Sequence, residues 1–179
     1  MQRLRRKLFL PVSVSVIALV VVSCIGPKGT GRPAKYVQTF YSEGGATQYF
    51  VKPLEYESGK DYTLYADFTL RDTVKQPPVR MLYTLHSEEP LSGHSSCKAG
   101  VREKDVMKAD KIYAEPVNKG YDYRYELIIP FNDFVLLIRE KSDLHVSLGE
   151  NTFRFTPIRK TEKALDKVDN IVLMMMETR

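Results

Sequence analysis

Tryptophan is absent from the 179 residues, cysteine occurs twice and histidine three times. These scarcities exclude whole classes of site. His86, His94 and His145 stand far apart, and the chain has no His-x-His pair, no Cys-x-x-Cys pair and no helical His pair. A metal centre built from nitrogen and sulfur ligands needs such spacings, so the sequence predicts neither a metal nor a cofactor. No glycine-rich phosphate loop is present either. A surplus of one charge is also lacking. Four of the 27 Lys and Arg stand at Arg3, Arg5, Arg6 and Lys7, which leaves 23 cations against 22 acids from Cys24 onward, a net charge of +1. A mixed, nearly neutral surface gives nucleic acid no electrostatic hold.

Long apolar runs are scarce too, and the notable one comes first. Leu8–Val22 is interrupted by Pro11, Ser13 and Ser15 and falls short of the about 20 apolar residues of a spanning helix. With the cationic cluster in front of it and Ser23 behind, it has the layout of a cleaved secretory signal. The junction Val21-Val22-Ser23-Cys24 resembles the lipobox of bacterial lipoprotein precursors. That resemblance implies cleavage before Cys24, a diacylglycerol thioether on its sulfur and an acylated new amino terminus. Three acyl chains, at about 0.8 kcal/mol per buried methylene, would hold the protein permanently where one would not. By the same resemblance, Ile25 in place of an inner-membrane-retaining Asp points to the outer membrane. The missing acidic cluster after it points to the periplasmic face. Cys97 would then be the remaining thiol, and no intramolecular disulfide could form.

Residues 1–23 are thus expected to be a signal peptide and residues 24–35 a lipidated cysteine with a Gly- and Pro-rich tether. Residues 36–179 should be a single domain, with no internal repeat, low-complexity tract or further linker. Within it, short β-type runs alternate with turns. Tyr62, Leu64, Ala66, Phe68 and Leu70 fall on one strand face and Thr63, Tyr65, Asp67, Thr69 and Arg71 on the other. Hairpins are predicted about Ser42-Glu43-Gly44-Gly45, Asn118-Lys119-Gly120 and Gly149-Glu150-Asn151. Phe131, Phe134, Val135 and Ile138 recur at helical spacing after Pro130. Thr161 is placed to cap a second helix carrying Ala164, Leu165 and Val168. Ile171–Met176 reads either as a closing buried strand or as the same helix continued, and the strand is taken here. These elements together predict a mainly β, antiparallel two-layer β-sandwich with one or two short helices.

Candidate chemistry is thin. Gly93-His94-Ser95-Ser96-Cys97 gathers nucleophile-type residues, but Cys97 stands where a nucleophile elbow needs glycine. It reads as a polar surface loop with a dispensable thiol and no catalytic residue. His86 and His145 read as outward strand residues, and Asp67, Asp122 and Glu126 as solvated charges. Lys160, Lys163 and Lys167, interleaved with Glu162 and Asp166, read as a solvated helix face. Tyr121, Tyr123 and Tyr125 share a face with Leu127 and Ile129, which favours a core face over a stacking platform. The expectation is an outer-membrane-anchored lipoprotein displaying a non-catalytic binding or accessory domain for an envelope protein or glycan. The alternative is a membrane-tethered envelope hydrolase with its site around Cys97, which would need His94 or His145 brought to the thiol or to a serine.

Overall fold

The computed structural model describes residues 35–42, 45–59, 62–94 and 97–177; the predicted signal and most of the predicted tether, Cys24 included, lie outside the described residues. Period-two alternation of apolar side chains builds nine strands: β1 Val37–Tyr41, β2 Thr47–Ser58, β3 Tyr62–Arg71, β4 Val79–Ser87, β5 Cys97–Gly100, β6 Met107–Val117, β7 Gly120–Ile129, β8 Leu144–Leu148 and β9 Asn151–Pro157. Two helices follow the expected periods, α1 at Phe131–Arg139 and α2 at Arg159–Val168.

The sheet runs β1-β2-β3-β4-β7-β6-β5-β8-β9, and β9 pairs again with β2. Strands β2 to β9 therefore close an eight-stranded antiparallel barrel, with β1 as an extra strand. This corrects the two-layer sandwich. Alternation reports only that each strand has a buried and a solvent side, which holds equally for a sandwich and for a barrel. The deciding contact is Tyr56↔Pro157 with Glu57↔Thr156, a pairing that no local pattern announces.

Closure depends on a defect in β2. Its register against β3 shifts between Val51 and Leu54, around Lys52-Pro53, and such a shift bends a strand. On the same edge of β2, β1 pairs from Thr47 to Val51 and β9 takes the far end. The backbone groups between them find other partners. Lys52 N–H donates to the Tyr36 carbonyl at 2.9 Å. Glu55 N–H donates to Thr161 Oγ1 at 2.9 Å, and that hydroxyl donates back to the Glu55 carbonyl at 2.7 Å. Thr161 is therefore inside α2 and does not cap it. Its side chain is committed to the barrel seam, and the helix begins two residues earlier.

The interior is filled by side chains. Tyr49, Tyr56, Tyr83, Tyr125, Phe68, Phe134 and Phe155 are fully buried, and Ala66, Ala99 and Ala109 leave room for the rings. Helix α1 packs Phe134 against Phe68 of β3, ring centroids 5.4 Å apart. The predicted closing strand at Ile171–Met176 is helical instead. A π-helical turn, Asp169–Leu173, continues α2 and leads into α3, Met174–Glu177. The reason lies in spacing: Ala164, Leu165, Val168 and Val172 form one buried stripe at helical intervals.

The outer face of β3, β4 and β7 carries paired charges. Arg124 holds Asp67 at 2.6 Å and Thr84 at 2.8 Å. Arg80 forks onto Glu126, and His86 Nδ1 lies 2.7 Å from Asp122. The acids read as solvated are thus cross-strand partners. Beyond Ala109, β6 has β7 on one side and no paired strand on the other among the described residues, and Asp110–Pro116 is exposed on both faces. A bulge at Ile112 and Pro116 interrupt that edge.

Candidate functional site

The barrel has two ends of different character. One is closed by the segment after β4, which includes the loop picked out by the sequence. Tyrosine hydroxyls hold its backbone: Tyr125 donates to the His94 carbonyl at 2.7 Å, and Tyr123 accepts from Leu91 N–H at 2.9 Å. The His94 ring lies over Tyr123 at 5.1 Å, its Nδ1 2.9 Å from the Leu91 carbonyl. Tyr123, Tyr125, Leu127 and Ile129 are buried, so the tyrosine strand does face the core.

Cys97 is not on the surface. It opens β5, is 2 % exposed, and its sulfur lies 2.8 Å from the Tyr83 hydroxyl. The expectation that the thiol lies on the surface is corrected here; a single cysteine after a polar run gave no sign of burial. Desolvation pushes the Cys97 pKa up to about 11, with the Tyr83 hydrogen bond opposing it. A nucleophilic thiol needs the reverse, a depressed pKa and a base. The recorded partners of the sulfur are Tyr83 and the Lys98 carbonyl at 3.8 Å. His94 turns its Nδ1 to Leu91, and His145 sits on the outward side of β8. Ser95 and Ser96 lie outside the described residues. No three or more His, Cys, Asp or Glu side chains group as metal ligands among the described residues.

The buried thiol has a consequence for pH dependence. Between its ordinary value of 9.0 and about 11, the unfolded chain has lost the thiol proton while the folded chain keeps it. Stability is therefore full below pH 9 and falls as pH rises through that window. Burial raises the Tyr83 and Tyr125 hydroxyls as well, so they act in the same direction. Denaturant melts from pH 8 to 10.5 should show a declining midpoint, and Cys97→Ala should flatten part of the decline. Alkylation of the native thiol at pH 8 should be slow and become rapid in denaturant.

The other end bears an open cleft of about 690 Å³. Val74 and Lys75 come to it from the β3–β4 connection, Phe131, Asn132 and Val135 from α1, and Met176 and Glu177 from α3. Apolar Val74, Phe131, Val135 and Met176 share its lining with polar and charged side chains. Arg139 fixes Glu177 at 2.7 Å, and Asp72 accepts from Thr47 N–H. Gln76 is held at φ 57°, a left-handed conformation uncommon outside glycine and of the kind stored at functional sites. A concave surface of mixed apolar and polar side chains suits ligand binding. Sequence reasoning missed it because its walls come from three distant segments, each bland alone. The Gln76-Pro77-Pro78 break was the available signal. Among the described residues no helix is long and apolar enough to cross a membrane. Comparison with protein-family models, with curated proteins and with solved structures found no match.

Proposed function

We propose that the chain is an outer-membrane lipoprotein, held through Cys24 on the periplasmic face, whose barrel is a non-catalytic binding or accessory module. The Val21-Val22-Ser23-Cys24 junction carries this reading. The cleft between α1, α3 and the β3–β4 connection supports the second half of it. Its apolar side chains suit a nonpolar side chain of an envelope protein or the apolar face of a sugar ring, while Lys75, Gln76 and Asn132 supply polar contacts. The buried, protonated thiol of Cys97 weighs against the hydrolase alternative.

Cys24→Ser should abolish palmitate labelling and leave an unprocessed precursor; labelling that survives would remove the anchor. Affinity purification from envelopes should recover a partner or glycan, and Val74→Asp should lose it with the melting temperature unchanged. Val74 is 58 % exposed, so the substitution tests the cleft and not the fold.

A further inference from the structure

Helix α2 presents a cationic face. Arg159, Lys160, Lys163 and Lys167 are all exposed, and Lys160, Lys163 and Lys167 share one side at helical spacing. Among the described residues, the two acids interleaved with them, Glu162 and Asp166, make no ion pair with these lysines. Asp166 is paired with Lys141 at 2.9 Å, and Glu162 is half-buried. The stripe continues onto the start of the described chain. Lys35 and Lys167 place their ammonium groups 5.3 and 5.5 Å from the centre of the Tyr36 ring, so the first described residues lie beside α2. Between Cys24 and that point the sequence holds Lys28 and Arg32 and no acid.

We propose that α2 is the membrane-facing surface of the domain and rests on anionic phospholipid headgroups; this rests on the reading of Cys24 as a lipid anchor. Lys35 follows Cys24 by eleven residue steps, a reach of at most about 40 Å at full extension. That reach permits the α2 face to rest on the bilayer to which Cys24 would be fixed, and a stripe in contact lies within the about 8 Å over which a charged surface is felt at physiological salt. Basic segments next to a membrane attachment bind anionic leaflets in this way. A second copy fits less well, since like stripes would meet.

The test uses the lipidated mature protein in nanodiscs of phosphatidylcholine with or without phosphatidylglycerol. Amine acetylation is read at each lysine by mass spectrometry. Lys160, Lys163 and Lys167 should be protected severalfold in the anionic discs and exposed again in high salt. Lys108 and Lys111 on β6, four strands from β2 either way around the barrel, should label equally in both. Replacing the three α2 lysines with Gln should abolish the phosphatidylglycerol-dependent protection of Lys35. Equal labelling of the α2 lysines in both discs, in protein whose intact mass shows the lipid, would overturn the docking and leave the anchor standing. An intact mass without lipid on Cys24 would overturn both.

Discussion

Tyr125→Ala should lower stability by about 3–5 kcal/mol, the range for truncating a buried aromatic. Three losses coincide at this position. The ring is fully buried and stacks on Tyr83 with centroids 5.2 Å apart. It also fills the barrel interior near Cys97, so truncation leaves a cavity that small neighbours such as Ala109 cannot close. Its hydroxyl fixes the His94 carbonyl, and without it the segment over that end loses a latch. Against a total of roughly 5–15 kcal/mol for a domain, this is a large share. The thermal midpoint should drop on the order of 10 °C at the few degrees per kcal/mol expected for this size. Tyr125→Phe separates the contributions, because it keeps the ring and gives up one hydrogen bond, about 1 kcal/mol. A melt of Tyr125→Ala within a degree or two of wild type would show that the ring is not a core member.

Gly120→Ala should be nearly as damaging for a different reason. Gly120 has φ 137°, and a Cβ there would meet the Ser87 carbonyl oxygen at 2.2 Å and Glu88 Cα at 3.1 Å. Both obstacles are backbone, so no side chain can swing aside and β4 or β7 must shift. Backbone strain alone costs about 1–3 kcal/mol, and the displaced strand pairing adds to it. Gly45→Ala is the control. Its φ of 83° is also left-handed, but nothing lies within 4 Å of the added methyl, so it should cost only the about 1–2 kcal/mol of the conformation. Equal denaturant midpoints for the two variants would refute the contact.

Some features of this fold are set locally in the chain and others only by distant contacts. The Asn118-Lys119-Gly120 turn was legible from residue type, but the reason alanine is forbidden there was not, because Ser87 lies on another strand. The inward face of Tyr123, Tyr125, Leu127 and Ile129 was legible because alternation is a property of one strand. Barrel closure was not, because it rests on two residue pairs joining β2 to β9 and on a bend around Lys52-Pro53. Cys97 misled for a related reason: its burial comes from Tyr83 and the neighbouring strands, not from its own sequence context. Thr161 had the right residue type for a cap and was used for a seam. The lipobox-like junction, by contrast, is written entirely in consecutive residues, and the cleft in none.

The open stretch of β6 has a consequence for crowding. A protein tethered to a membrane is confined to two dimensions, where copies meet often and in similar orientations. An unpaired strand edge under those conditions is a template for sheet growth from one copy to the next. Here the edge offers few usable donors in a row, since Ile112 is bulged out of register and Pro116 has no N–H to give. Asp110, Lys111 and Glu115 put charges along it, which disfavours edge-to-edge pairing. This stretch of β6 is therefore a poor template for edge-to-edge association between copies.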